Sequence, residues 1–244
     1  MTNQTLKNKN CLLTGATGGL GKELAIHFAE SGCNLFLTSR SNEKLGKLQN
    51  ELKSLFPNLQ IHFGAFDISV HNEIEKLIKS VRSAFTSTDI LVNCAGIFPV
   101  KLLQESTIND FDKCFNVNIR APFILCKEFS QDMVNKKWGR IVNIASSGAY
   151  NGRKKTSIYR STKHALLGFS RSIHSELKEH NVRTFCISPG PIKTPMGNEI
   201  IKYENQNENF ESFMNPTEIA EFITHIISYD SEMISEEVRL SRIN

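Results

Sequence analysis

The feature that most limits the folds open to this chain is a repeated alternation. Short apolar runs rich in Leu, Ile and Phe are each followed by a longer stretch with helical periodicity. The runs are Asn10–Leu13, Asn34–Thr38, Gln60–Phe66, Ile90–Asn93, Arg140–Ile144 and Arg183–Ser188, with a weaker seventh at Val238–Ile243. The helical stretches are Gly21–Ser31, Ser41–Leu55, Glu73–Ala84, Phe111–Asn135, Ile158–Glu179 and Thr217–Ser228. Strands buried on both faces read as continuous apolar runs, and alternation with helices makes neighbouring strands parallel. Right-handed crossovers then put helices on both faces of one sheet. The expectation is a doubly wound α/β domain with a parallel sheet of about seven strands, covering residues 1–244 as a single unit. At 40% apolar residues, a chain of 244 suffices for one sizeable core.

Other classes are poorly supported. The net charge of +4 is mild and scattered, and its densest run, Arg153-Lys154-Lys155, is too short for a nucleic-acid footprint. No apolar run approaches the roughly 20 residues that cross a bilayer. Met1–Lys7 holds no apolar stretch, so neither membrane insertion nor secretion is expected and the Asn3-Gln4-Thr5 sequon carries no weight. The six cysteines, at 11, 33, 94, 114, 126 and 186, form no Cys-x-x-Cys and have no His pair nearby. They read as reduced thiols of a cytoplasmic protein, with no metal site. Gly-x-Ser-x-Gly, His-Glu-x-x-His and Walker lysine patterns are absent.

In such a sheet, ligands bind beyond the carboxyl ends of the strands. The turn after the first run reads Thr14-Gly15-Ala-Thr17-Gly18-Gly19-Leu20-Gly21. Its glycines let the backbone turn sharply and approach a pyrophosphate, and the free N–H groups of the helix that follows attract its charge. Tyr159 and Lys163 lie four apart, on one face of a helix. That pair is common in itself, but Ser146 lies thirteen residues before Tyr159, at the end of the fifth run, and Asn118 sits in the preceding helical stretch.

With the spacing Thr-Gly-x-x-x-Gly-x-Gly, the chain resembles the short-chain dehydrogenase/reductase family, and within it the 3-oxoacyl-acyl-carrier-protein reductase-like branch. Further matches follow in order. Asp67, in Phe66-Asp67-Ile68, corresponds to the family's Asp beside the adenine. Asn93-Cys94-Ala95-Gly96 corresponds to its Asn-Asn-Ala-Gly, with Cys in place of the second Asn. Pro189-Gly190-Pro191-Ile192-Lys193-Thr194 corresponds to its Pro-Gly-x-x-x-Thr segment. The resemblance implies a Rossmann-like fold and a nicotinamide cofactor bound by these segments: Thr14 to Gly21, Asp67 and Ile68, Asn93, Ala95 and Gly96, and Pro189, Gly190, Ile192 and Thr194.

Ser39 stands where relatives that prefer NAD(H) carry Asp, and Arg40 follows it. A guanidinium pairs with a 2′-phosphate where a carboxylate would repel one, so NADP(H) is expected over NAD(H). The family's catalytic tetrad maps onto Asn118, Ser146, Tyr159 and Lys163, with Ser147 as an alternative to Ser146. Hydride transfer to a carbonyl leaves charge on oxygen, which Tyr159 would neutralise with a proton. Lys163 would lower the phenol's pKa and hold the nicotinamide ribose, Ser146 would donate to the substrate oxygen, and Asn118 would hold a water leading to Lys163.

The substrate is expected to be a small-molecule or acyl-carrier-linked carbonyl compound. Arg120, Arg153, Lys154, Lys155 and Arg160 are candidates to receive an acidic carrier protein. Free ketones, sugars or aldehydes form a second reading, and a cofactor-sensing binding protein without turnover forms a third. Met196–Asn215 reads as a lid over the site. Assembly as a homodimer or homotetramer is expected, using the two long helices that carry Asn118 and Tyr159. The family's Gly-Gly tail is missing from Glu237–Asn244, which weakens the tetramer expectation.

Overall fold

A computed structural model describes residues 6–203, 210–232 and 234–243 of the chain. Its frame is one sheet of seven parallel strands: β1 (Asn10–Thr14), β2 (Asn34–Ser39), β3 (Ile61–Ala65), β4 (Ile90–Asn93), β5 (Gly139–Ile144), β6 (Val182–Pro189) and β7 (Glu237–Leu240). Their spatial order is β3-β2-β1-β4-β5-β6-β7. The order reverses between β1 and β4, and a crevice opens there beyond the strand ends. The seventh strand is shorter than the apolar run that suggested it.

Among the described residues eight α-helices accompany the sheet: α1 (Gly19–Glu30), α2 (Asn42–Leu55), α3 (His71–Ala84), α4 (Ile108–Phe115), α5 (Ala121–Lys136), α6 (Ser157–Leu177), α7 (Pro195–Tyr203) and α8 (Pro216–Ser228). Side chains alternate across the strands, so β1 sends Cys11 and Leu13 to one face and Leu12 to the other. The first face packs against α1, α2 and α8 through residues such as Phe28, Leu48 and Ile223. The second packs against α3, α5 and α6 through Leu77, Phe129 and Ile173. This two-sided burial explains why the strands read as unbroken apolar runs.

Two segments differ from the sequence expectation. The single helix expected over Phe111–Asn135 is interrupted by a wider π-turn at Asn116–Arg120. The N–H of Ala121 reaches back five residues to the Asn116 carbonyl, and Pro122 follows with no N–H to restore the regular spacing. The bulge turns Asn118 inward, to 1% exposure. The segment expected as a lid begins as helix α7, capped by the Thr194 hydroxyl, which accepts from the Gly197 N–H at 3.1 Å. Residues 204–209 of that lid lie outside the described residues.

Candidate active site

The ends of β1, β2, β4, β5 and β6 surround a cavity of about 550 Å³. The glycine turn forms one wall. Gly15 has φ +70°, and a β-carbon there would meet Ala95 Cα at 2.8 Å. A β-carbon on Gly19 would meet Thr194 Cγ2 at 2.5 Å, and one on Gly21 would overlap the Gly15 carbonyl oxygen. The turn is therefore pressed against the Ala95 and Thr194 segments, and only glycine fits. Thr14 fastens it further: its hydroxyl donates to the Val92 carbonyl at 3.2 Å and accepts from the Cys94 and Ala95 N–H groups at 3.1 and 3.2 Å. Helix α1 starts here with no side-chain cap and no acidic residue in its first turn. That leaves its positive end for an anion, as a dinucleotide pyrophosphate requires.

At the end of β2, Ser39, Arg40 and Lys44 line the cavity. Lys44 was not anticipated; a signal existed, because Ser41 caps α2 and accepts from the Lys44 N–H at 3.3 Å, which puts Lys44 in the first turn beside the crevice. Asp67 accepts from the Ser69 N–H and hydroxyl at 3.0 and 2.7 Å. Burial pushes its carboxyl up, but those bonds and the Arg40 and Lys113 charges outweigh it and hold the group below its ordinary value. A cationic rim around a polar floor fits a phosphorylated adenosine.

The reactive end is built from β5 and α6. Ser146, Tyr159 and Lys163 all line the cavity. The Ser146 hydroxyl accepts from the Gly148 N–H at 3.0 Å. The Tyr159 ring meets Phe98 edge-on, with centroids 4.5 Å apart. Lys163 donates to the Ile144 carbonyl at 2.7 Å and is 5% exposed. Burial lowers its pKa from 10.5 to about 8, opposed by the Cys94, Cys114 and Cys186 thiols. The acidification of Tyr159 expected from Lys163 does not appear. The ammonium is turned to Ile144 O, and burial raises the phenol, opposed by a hydrogen bond from Ser146 and by the Arg160 charge.

Two of the sequence candidates do not reach the cavity wall. Asn93 points into the core, where its amide donates to Asn143 Oδ1 at 2.8 Å and to Cys126 Sγ at 3.4 Å. Strand alternation at the end of β4 sends it there and leaves Cys94 to line the cavity instead. Asn118 lies behind the wall. Its Oδ1 accepts from the Ile97 N–H at 3.0 Å, and its amide donates to Ile97 O and Thr162 Oγ1, both at 3.0 Å. Gly96 separates it from Lys163: a β-carbon there would stand 3.5 Å from Asn118 Oδ1 and 3.8 Å from Lys163 Nζ. The other predicted residues, from Thr14, Gly15, Thr17, Gly18, Gly19, Leu20 and Gly21 through Asp67 and Ile68 to Ala95, Gly96, Pro189, Gly190, Ile192 and Thr194, all line the cavity. Phe98 and Lys113 line it as well and carried no sequence signal, and Met196, the first residue of the expected lid, also lines it. Among the described residues, no helix is long and apolar enough to cross a membrane.

Comparison with known proteins agrees with this geometry. The family described as short chain dehydrogenase matches residues 9–205. The chain is 29% identical over 237 residues to a 3-oxoacyl-acyl-carrier-protein reductase of Aquifex aeolicus, covering 96% of this chain and 95% of that one. It superimposes on an alcohol dehydrogenase of Thermococcus sibiricus complexed with 5-hydroxy-NADP, with TM-score 0.85, 26% identity and 96% of each chain covered. It also matches L-sorbose reductase of Gluconobacter frateurii complexed with NADPH and L-sorbose, with TM-score 0.87, 25% identity and 99% and 97% of the two chains covered.

Proposed function

The chain belongs to the short chain dehydrogenase family of NAD(P)-dependent oxidoreductases, and from that premise we propose that it is an NADP(H)-dependent reductase of carbonyl compounds. The observation that carries this reading is the convergence, in one cavity, of Ser146, Tyr159 and Lys163 at one end with Arg40 and Lys44 at the other. The glycine turn and the α1 N-terminus would hold the pyrophosphate, and Arg40 and Lys44 a 2′-phosphate.

When bound, the nicotinamide supplies the hydride. Ser146 holds the carbonyl oxygen and stabilises the charge that develops on it. Tyr159 gives that oxygen its proton. Burial raises the phenol above its ordinary value, opposed by the Ser146 hydrogen bond and the Arg160 charge. Lys163 is fixed by Ile144, Asn118 is locked to Ile97 and Thr162, and both border Gly96. This arrangement suits resupply of the proton through a water between the lysine and the asparagine.

A second reading, reduction of acyl-carrier-linked 3-oxo thioesters, draws support from the Aquifex relative and from the exposed Arg153, Lys154 and Lys155 near the cavity. The test is oxidation of NADPH and NADH with a panel of ketones, aldehydes and 3-oxoacyl thioesters, with Tyr159→Phe as control. NADPH is expected to be preferred at least about tenfold, and Tyr159→Phe to lose about a thousandfold in kcat while still binding NADPH. Full turnover by Tyr159→Phe, or a preference for NADH, overturns the reading.

A further inference from the structure

One carboxylate of the last strand ties together three elements that carry the site. Glu237 stands in β7 opposite Cys186 of β6 and is partly buried. Its Oε1 lies 2.9 Å from the Tyr150 hydroxyl, which also lies 3.3 Å from Ser188 Oγ. A phenol has one proton to give, so Tyr150 donates to the carboxylate and accepts from the serine. Glu237 Oε2 accepts from Arg171 Nε at 2.8 Å and from Arg171 Nη2 at 2.7 Å. The Arg239 guanidinium covers the Tyr150 ring, 4.1 Å from its centroid.

Each partner leads to a different part of the reaction centre. Tyr150 closes the short 3₁₀ turn Ser147–Ala149, and Ser146 caps the other end of it. Ser146 Oγ accepts from the Gly148 N–H at 3.0 Å, and Ser146 O accepts from the Ala149 N–H at 2.9 Å. Hydrogen-bond geometry in so short a turn is poor, so what anchors Tyr150 also steadies Ser146. Arg171 lies further along α6, the helix of Tyr159 and Lys163. Ser188 is fully buried and leads into Pro189 of the cavity wall. None of Tyr150, Arg171, Ser188 and Glu237 lines the cavity itself.

We propose that Glu237 is a positioning residue for carbonyl reduction: by holding Tyr150 against β6 and α6, it fixes the direction of the Ser146 hydroxyl relative to Tyr159. The assignment rests on the reductase reading. The bond from Ser146 strengthens as charge develops on the carbonyl oxygen, so a misaimed hydroxyl lowers kcat and leaves KM alone. An error of about 1 Å in such a placement costs up to about a hundredfold. A carboxylate that served only to hold β7 would show itself elsewhere. The Gly190 N–H donates to Leu240 O at 3.0 Å, so a loosened β7 would release the Pro189–Thr194 wall and weaken NADPH binding.

The experiment uses the full-length protein, NADPH and the best carbonyl compound of the panel. Wild type is compared with Tyr150→Phe, which deletes one hydroxyl, with Glu237→Ala and Glu237→Gln, and with Tyr150→Phe and Glu237→Ala each combined with Ser146→Ala. Tyr150→Phe and Glu237→Ala are expected to lose about tenfold in kcat, with KM and the NADPH Kd within about twofold of wild type, and Glu237→Gln to recover part of the loss. On the Ser146→Ala background the same substitutions should cost less than about twofold, because they act through the missing hydroxyl. Unchanged kcat in the single variants would overturn the proposal, as would a loss that persists in full without Ser146, or an NADPH Kd that rises as far as kcat falls. If no compound is reduced, the reductase reading fails, and amide hydrogen exchange still decides whether Glu237 holds the turn. Exchange at Gly148 and Ala149 should be at least about tenfold faster in Glu237→Ala, and equal exchange would overturn the assignment.

Discussion

Replacing Lys163 by Met is expected to end turnover and to make the protein more stable at neutral pH. The ammonium is almost completely enclosed, donating to Ile144 O at 2.7 Å with three thiols rather than a carboxylate around it. Burial brings its pKa from 10.5 down to about 8, a drop that corresponds to about 3 kcal/mol against the protonated form. Met has similar volume and no charge to desolvate, so it removes that penalty. It also removes the donor to the Ile144 carbonyl, which costs about 1–2 kcal/mol. The net gain at pH 7 is about 1–2 kcal/mol.

The pH dependence has a fixed sign. Below about pH 8, Lys163 is protonated in both the folded and the unfolded chain, and the whole penalty is felt. Between about 8 and 10.5 the unfolded chain binds more protons than the folded one, so the wild type gains stability on the variant as pH rises. From pH 7 to pH 9.5 the variant's advantage should shrink by about 2 kcal/mol, to nothing or less. Guanidinium chloride unfolding of both proteins without cofactor, followed by circular dichroism at the two pH values, measures this. A variant less stable than wild type at pH 7, or a difference that does not change with pH, would refute the reasoning.

Gly21→Ala should weaken cofactor binding, because the new methyl would overlap the Gly15 carbonyl oxygen and push α1 off the glycine turn. Fluorescence titration with NADPH should show at least a tenfold weaker Kd. Ile108, Phe111 and Phe123 are 77%, 43% and 50% exposed on α4 and α5, apolar surface consistent with pairing of two copies. Light scattering should therefore return at least a dimer, and the mass of one chain would remove that expectation.

The fold was legible because two-sided burial leaves an unmistakable trace: strands such as Leu35–Leu37 and Leu91–Val92 have no solvent side to mark with polar residues. Most of the candidate site was legible for a related reason. The parallel topology forces the segments after each strand to one edge of the sheet, so Thr14, Ser39, Asp67, Ala95, Ser146 and Pro189 had to gather wherever the strands ended. Local sequence did not carry the π-turn at Asn116–Arg120, because a run of helix formers reads the same whether its hydrogen bonds close four or five residues back.

Sequence alone thus determined the layered architecture and the glycine turn, since these follow from periodicity and from residue chemistry, while the resemblance to a known family named the groups expected to face a cofactor and a carbonyl. Only the tertiary structure decided which of them share a surface. It buried Asn93 against Asn143, set Asn118 behind Gly96, brought Lys44 and Arg160 to the cavity and enclosed Lys163 so far that its charge is costly. The physical reason is that burial and the direction of a side chain depend on neighbours distant in the chain, which no local pattern encodes.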